Sequence, residues 1–163
     1  TAIGVLPGNS DLSSLRYGKI CILADADSDG LHIATLLCAL FLRHYKPLVQ
    51  EGRIYISMPP LYRIDCGKEV LYALDDSQRD EIVKNFKSKK GKPKINIQRF
   101  KGLGEMNPSQ LRETVMDPST RQLVKLSISS SDNANSMMDL LLSKKNAGAR
   151  KEWLEKKGSL AKI

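Results

Sequence analysis

Three aspartates spaced two residues apart are the side chains in this sequence best suited to chemistry. Asp25, Asp27 and Asp29 follow the apolar run 20–24, which predicts a buried strand, and precede Gly30. Carboxylates two residues apart on extended chain point to the same side, and two such charges about 4 Å apart repel by roughly 4 kcal/mol near a protein surface. Mg²⁺ relieves this repulsion simply, because it takes one or two carboxylates, keeps several waters and meets a phosphate. The sequence therefore predicts a Mg²⁺ site at the carboxyl end of a strand, with these three aspartates as metal ligands.

Three other interpretations of the aspartate cluster compete with a metal site. An EF-hand loop also begins D-x-D-x-D-G, but it needs a Glu at its twelfth position, where this chain has Leu36. An aspartyl-phosphate phosphatase uses the first Asp of D-x-D as its nucleophile. That class usually has Thr or Val two residues after the second Asp, where this chain has Asp29. A solvated turn that caps the next helix, with Ser28 or Asp29 as the N-cap, explains one acid and not three.

One segment of the chain accounts for its excess of positive over negative charge. The net charge is +8, from 26 basic and 18 acidic residues, and no acid lies between Glu81 and Glu105. The eight bases between them equal the whole excess: Lys84, Lys87, Lys89, Lys90, Lys92, Lys94, Arg99 and Lys101. A local basic stripe indicates a polyanionic partner, although the lysines of 84–94 alone are as readily a solvated loop. Arg99 and Lys101 are more specific, because they precede a Gly-rich turn whose backbone could approach a phosphate closely.

Length and composition limit the class of protein. The 163 residues can form one core domain, or one domain with an appendage. There is no apolar stretch of membrane-spanning length and no N-terminal signal pattern. Cys21, Cys38 and Cys66 are odd in number, and the first two lie in apolar runs. They are typical of packed thiols in a reducing compartment rather than of disulfides or a zinc site.

Periodicity and Gly/Pro punctuation predict an α/β fold. The expected strands are 20–24, 53–58, 61–64, 69–74, 95–100 and 123–128. The expected helices are 30–45, 77–89 (capped by Asp76), 108–115 (capped by Asn107), a short one from 117, 134–145 and 149–157. The apolar face expected for the first helix comprises Ile33, Leu36, Leu37, Leu40 and Phe41. Strand, helix and strand over 20–58 imply a parallel crossover, and ligands of such sheets lie beyond the carboxyl ends of the strands.

Three segments together carry a more specific pattern. They are Asp-Ala-Asp-Ser-Asp-Gly-Leu-His-Ile from Asp25, Pro-Leu-Tyr-Arg-Ile from Pro60 and Gln-Arg-Phe-Lys-Gly-Leu-Gly-Glu-Met-Asn-Pro from Gln98. In this order they resemble the B subunits of bacterial type IIA DNA topoisomerases, over about residues 15–160. The resemblance is closer to the topoisomerase IV branch than to gyrase, which usually has Val for Ser28 and Ala for Leu31. A gyrase B fragment is the alternative.

The resemblance implies a division of the chain into two parts. Residues 1–75 are expected to form a Toprim domain, a Rossmann-like parallel sheet flanked by helices. Residues 76–163 are expected to form a mixed α+β extension with the basic segment and the Lys-Gly-Leu-Gly-Glu motif. The family has a further metal-binding Glu in an E-G-D-S-A motif that this sequence does not contain. We therefore expect a fragment with an incomplete metal site, inactive on its own.

The resemblance also implies a mechanism and partners. The full enzyme would be an ATP-dependent type II topoisomerase (EC 5.6.2.2) of the bacterial cytoplasm that relaxes and decatenates double-stranded DNA. In an A2B2 heterotetramer, the A subunit of topoisomerase IV would supply the tyrosine that attacks DNA, and ATP would bind in a domain outside this sequence. Asp25, Asp27 and Lys101 are the implied catalytic residues, and Asp25, Asp27 and Asp29 would hold Mg²⁺ in a two-metal arrangement that accepts Mn²⁺ or Ca²⁺. The candidate DNA contacts are Lys101, Arg99, Arg63, His32, Lys92 and Lys94.

Two other classes of function remain open. Without the missing glutamate, the chain could be a non-catalytic module that docks on DNA and on the topoisomerase A subunit. It could also be a Toprim of primases or recombination factors, but those share only the D-x-D motif and lack the other two segments.

Overall fold

The computed structural model describes residues 2–88, 94–129 and 133–160. The strands are β1 (Ile20–Ile22), β2 (Ile54–Ser57), β3 (Tyr62–Cys66), β4 (Glu69–Ala73), β5 (Ile95–Arg99) and β6 (Leu123–Lys125). The helices are α1 (Ser28–His44), α2 (Lys46–Gln50), α3 (Asp76–Lys87), α4 (Pro108–Leu111), α5 (Ala134–Leu142) and α6 (Ala147–Lys157). A π-helical turn follows α4 at Arg112–Met116, and 3-10 turns lie at Leu103–Glu105, Lys144–Asn146 and Gly158–Leu160. None of the described helices is both long and apolar enough to span a membrane.

The strands form two three-stranded sheets. In the first, in the order β1-β2-β6, β1 pairs in parallel with β2 and β6 pairs antiparallel with β2. The parallel pair confirms the predicted crossover, which runs from β1 through α1 and α2 to β2. The second sheet, in the order β4-β3-β5, is antiparallel throughout. The α/β class is confirmed, and among the described strands only β1 and β2 pair in parallel.

The chain divides into two compact units. One contains Thr1–Gly18, Leu36–Arg53 and Leu126–Ile163, and the other contains Lys19–Thr35 and Ile54–Lys125. Both sheets belong to the second unit. The expected boundary at residue 75 falls inside that unit, and the division into Toprim domain and extension stays a prediction.

The second sheet and α3 enclose a core of their own. Tyr62, Ile64 and Cys66 alternate inward along β3, as the period of two in a strand requires, and pack with Ala73 of β4 and Phe86 of α3. Leucine and isoleucine side chains at Leu61, Leu71, Ile82 and Ile95 pack around this cluster. The sheet is thereby fixed as a rigid support for the residues that follow β5.

The helix ends correct several sequence-based expectations. The N-cap of α1 is Asp27, not Ser28 or Asp29, because Asp27 Oδ1 accepts the Gly30 N–H at 2.7 Å. The N-cap of α3 is Asp75, not Asp76, since its carboxylate accepts the Gln78 N–H at 2.8 Å. No helix begins at residue 117, where hydrogen bonds to Asp117 close a turn. The expected strand 123–128 ends at residue 125.

Two predictions about burial are wrong. Cys21 is exposed because it lies on the open face of the short β1, whereas Cys38 and Cys66 are buried as expected. The buried residues of α1 are Ala34, Cys38, Ala39, Phe41 and Leu42. Ile33, Leu36 and Leu40 are exposed by 52%, 46% and 43%, so the buried face is rotated from the one expected. The helix is apolar on most sides, and periodicity alone could not choose between them.

We expect Asn107→Ala to lower the free energy of unfolding by about 1 kcal/mol, the usual cost of losing an N-cap. Asn107 Oδ1 accepts the Gln110 N–H at 2.9 Å and the Gln110 side chain accepts the Asn107 N–H at 2.9 Å, a reciprocal capping box. Urea denaturation measures the change. Ser109→Ala, on an exposed residue of the same helix, is the control and should differ from wild type by much less.

Candidate functional site

Asp25 and the turn of residues 101–105 meet in space although Asp25 and Leu103 are 78 positions apart in the sequence. The backbone N–H of Leu103 donates to Asp25 Oδ1 at 2.8 Å. Gly102 lies against the same carboxylate, so closely that a Cβ there would be 2.9 Å from Asp25 Oδ2. The first of the three aspartates and the Gly-rich motif thus form one site within a single compact unit.

Buried side chains on either side hold this turn in place. Phe100, directly after β5, is 2% exposed, and its N–H donates to the Leu61 carbonyl at 2.8 Å. Met106, directly after the turn, is 8% exposed, and Thr114 Oγ1 lies 3.8 Å from its sulfur. The intervening residues are therefore tethered at both ends while Lys101, Gly104 and Glu105 remain exposed.

Asp27 and Asp29 take up positions at the start of α1. The capping hydrogen bond occupies one oxygen of Asp27, and Asp29 is exposed in the first helical turn. A negative charge at either place is favourable to the positive end of the helix dipole. Gly30 is buried, and a side chain there would collide with the Asp25 carbonyl. Because glycine has no side chain, the chain can fold back tightly between the strand and the helix.

The donor chemistry of the site suits Mg²⁺ in part. Among residues 2–88, 94–129 and 133–160, no group of three or more His, Cys, Asp or Glu side chains is arranged to hold a metal ion. Asp25 and Asp27 each use one oxygen for a backbone N–H, which leaves further acceptor capacity on both carboxylates. One or two carboxylates are what Mg²⁺ takes when waters and phosphate supply its other ligands. The residues present therefore fit a metal ion that takes its remaining ligands from water and a phosphate, and not one whose ligands all come from the protein.

The basic residues expected to contact DNA differ in their surroundings. Lys94, Arg99 and Lys101 are exposed, and Lys92 lies outside the described residues. Arg63 is half-buried on β3 and donates through Nε to Asp65 Oδ1 at 2.9 Å. That hydrogen bond raises the pKa of Arg63, so its charge already has a partner.

His32 is exposed on α1, one turn after the Asp27 cap. It lies on the same helix as Asp29, three residues further along, which places the two on one side of the helix. Its predicted role in phosphate contact stays a prediction.

A cavity of about 300 Å³ borders Asp25 on another side. Its walls include Ala24, Leu31 and Ile56, and also Ser57 at the end of β2. The Ser57 hydroxyl is buried and has no hydrogen-bond partner among the described residues. Ser57 of β2 thus lines the same cavity as Asp25, and no motif in the sequence indicated it.

Sequence reasoning also missed how the 101–105 turn is closed. The Glu105 carboxylate accepts the Lys101 N–H at 2.9 Å, and the Glu105 N–H donates to the Gly102 carbonyl at 3.1 Å. The sequence signal was an acid four residues after Lys101 with two glycines between them. A side chain at Gly104 would meet nothing within 4 Å, so that glycine leaves open space on the outer side of the turn.

Comparisons with known proteins agree with these motifs. Residues 92–155 match a family model described as the DNA gyrase B subunit, carboxyl terminus. The chain is 63% identical over 99% of its length to the B subunit of DNA topoisomerase 4 from Pseudomonas aeruginosa, and 60% identical over 99% to that from Escherichia coli. It is 44% identical over 95% of its length to the B subunit of DNA gyrase from Thermotoga maritima. The chain spans about a quarter of the length of these relatives: 26%, 26% and 24%.

Over nearly its whole length the chain is therefore similar to a segment of the B subunits of two bacterial DNA topoisomerases, topoisomerase 4 and gyrase. Among these relatives it is more similar to the topoisomerase 4 proteins than to the gyrase proteins. Identity is 58–63% to the former, from Pseudomonas to Francisella, and 43–44% to the latter, from Halalkalibacterium and Thermotoga. The resemblance drawn from the three motifs is confirmed.

Proposed function

We propose that this chain forms the Mg²⁺-binding, DNA-contacting part of a topoisomerase IV B subunit, where it assists cleavage and religation of double-stranded DNA. The observation that carries the proposal is the contact between Asp25 and the 101–105 turn. It joins the acidic motif that would hold a metal to the exposed Lys101, which would meet a phosphate. A metal held by the carboxylate and a lysine on the adjoining segment would together neutralise the charge of a DNA phosphodiester.

The three predicted metal ligands and three of the predicted DNA contacts have a place in this proposal. Asp25 and Asp27 would hold Mg²⁺, with Asp29 reaching it directly or through water, and Mn²⁺ or Ca²⁺ could stand in its place. When bound, the metal would neutralise a DNA phosphate and stabilise the leaving oxygen. Lys101, with Arg99 and Lys94 on the preceding strand and loop, would orient the DNA backbone by charge.

The remaining parts of the reaction belong to the whole enzyme. We propose that the A subunit of topoisomerase IV supplies the attacking tyrosine in an A2B2 assembly, with ATP bound in another domain of the B subunit. The assembly would relax and decatenate DNA in the bacterial cytoplasm. The isolated chain should neither cleave nor relax DNA.

A hybrid protein tests the proposed function. This chain replaces the matching quarter of the Pseudomonas aeruginosa B subunit, and the hybrid is combined with the A subunit from that organism. The hybrid should decatenate linked DNA circles in the presence of ATP and Mg²⁺. A hybrid that folds and hydrolyses ATP but neither cleaves nor decatenates DNA would contradict the proposal. The same hybrid made with the Thermotoga gyrase segment is the control for branch specificity.

A docking module without metal is the second candidate. The absence of a three-ligand metal group among the described residues favours it. Calorimetric titration with Mn²⁺ separates the two, because a docking module would bind DNA but no metal at Asp25.

DNA affinity of the chain should depend on salt through Lys94, Arg99 and Lys101. Each phosphate contact contributes roughly 0.9 to the slope of log K against log salt, because bound cations are released from DNA. Changing all three residues to Ser should lower the slope by up to about 2.7. Fluorescence anisotropy with a short duplex at several salt concentrations measures it.

The control for that experiment removes the same charge elsewhere. We expect the slope to stay nearly unchanged when three lysines near or in α6 are changed together to Ser: Lys144, Lys145 and Lys156. Equal slopes for the two triple variants would mean that binding reflects net charge only and that the basic segment makes no local contact.

A further inference from the structure

The 101–105 turn lies directly against the Asp25 carboxylate, and this contact, rather than the backbone angles of the turn, accounts for the small residue at position 102. Gly102 has φ −172° and ψ 174°, an extended conformation open to any residue. A glycine is therefore not required there by its dihedral angles. The space beside it is instead taken by Asp25: a Cβ would lie 2.9 Å from Asp25 Oδ2 and 3.0 Å from Cγ, so the carboxylate would have to shift.

Glu105 makes two hydrogen bonds within this turn. Its carboxylate accepts the Lys101 N–H at 2.9 Å, while its own N–H donates to the Gly102 carbonyl at 3.1 Å. The two bonds close the chain upon itself on both sides of Gly102. The extended Gly102 then directs the next amide, that of Leu103, to Asp25 Oδ1 at 2.8 Å.

We propose that Glu105 is a positioning residue that fixes the orientation of the Asp25 carboxylate through the Leu103 amide. The inference rests on the proposed function, because the consequence of that orientation is metal binding by Asp25. One oxygen of Asp25 is committed to the amide, so the other is presented in a fixed direction. Glu105 itself touches neither metal nor substrate in this role.

The effect should resemble that of other residues that orient metal ligands. Removing a partner that orients a ligand typically weakens metal binding by 10- to 100-fold. Glu105→Ala should therefore weaken Mn²⁺ binding to the 163-residue chain by at least about tenfold. Glu105→Gln should restore most of the affinity, because the amide oxygen of Gln can also accept the Lys101 N–H.

One variant controls for charge, and a second disturbs the Asp25 carboxylate by another route. Glu152→Ala removes one negative charge from the exposed side of α6 and should leave Mn²⁺ affinity unchanged. Gly102→Ala keeps Glu105 but places a methyl group against Asp25, and it should weaken Mn²⁺ binding as Glu105→Ala does.

The experiment combines calorimetric Mn²⁺ titration with the amide proton shift of Leu103 in the metal-free chain. An amide hydrogen-bonded to a carboxylate resonates downfield, and Glu105→Ala should move the Leu103 signal upfield while Glu105→Gln returns it toward wild type. An unchanged Leu103 signal, or unchanged Mn²⁺ affinity, in Glu105→Ala would overturn the positioning role.

The outcomes also distinguish this inference from the proposed function. If the wild-type chain binds Mn²⁺ and Asp25→Asn does not, the metal site stands, and the Glu105 variants alone decide the positioning role. If Asp25→Asn binds Mn²⁺ as well as wild type does, Asp25 is not a ligand, and both the metal site and the positioning role are wrong.

Discussion

Asp25→Asn should reduce Mg²⁺-dependent DNA cleavage by the hybrid protein at least about a hundredfold, equivalent to roughly 3 kcal/mol of transition-state stabilisation. The substitution keeps the shape of the side chain and an oxygen that can accept the Leu103 N–H. It removes the negative charge that would attract the metal. The expected loss is therefore chemical rather than structural, and it is measured as the rate of DNA cleavage with saturating Mg²⁺.

Two further measurements show whether the loss is local. ATP hydrolysis should be nearly unchanged, because its site is proposed to lie in another domain, and the thermal midpoint should be unchanged or higher. The matched control is Asp80→Asn, an exposed carboxylate of α3 whose partner is Arg79, and it should cleave DNA as wild type does. Near-wild-type cleavage by Asp25→Asn would show that Asp25 does not bind the metal.

The local parts of the fold were predictable from the sequence because their causes are local. A short apolar run before the aspartates and another before Pro59 and Pro60 gave β1 and β2, and their parallel pairing follows from the helix between them. Asn107 before Pro108 predicted the cap of α4 correctly. Where two acids compete for one cap, as Asp75 and Asp76 do, the choice depends on backbone angles that the sequence does not display.

The central contact of the site could not be predicted in this way. The sequence supplied Asp25 and the Gly-rich motif separately, and only the packing of β5 and Phe100 brings the Leu103 amide to Asp25. Glu105 looked like the end of the basic segment, yet its carboxylate closes the turn on Lys101. The burial of Ser57 likewise depends on the walls of a cavity contributed by several segments. Such contacts arise from tertiary structure, so spacing along the chain contains little information about them.

Phe100→Ala should lower the free energy of unfolding by about 3–5 kcal/mol, the usual cost of truncating a buried phenylalanine. Phe100 is 2% exposed and lies between β5 and the 101–105 turn. Removing its ring therefore leaves a buried cavity that the surrounding structure can fill only in part. For a chain of this size the midpoint of thermal unfolding should fall by about 10 °C. Circular dichroism on heating measures it.

The same variant tests whether the core and the site are coupled. Phe100→Leu keeps most of the buried volume and should recover most of the stability, and Leu154→Ala, on an exposed side chain of α6, should cost little. Below its melting temperature, Phe100→Ala should also shift the Leu103 amide signal, because the ring is buried directly before the turn that directs this amide to Asp25. If stability falls while the Leu103 signal stays in place, Glu105 alone is sufficient to hold the turn. If both change together, the geometry of the candidate metal site depends on the hydrophobic packing after β5.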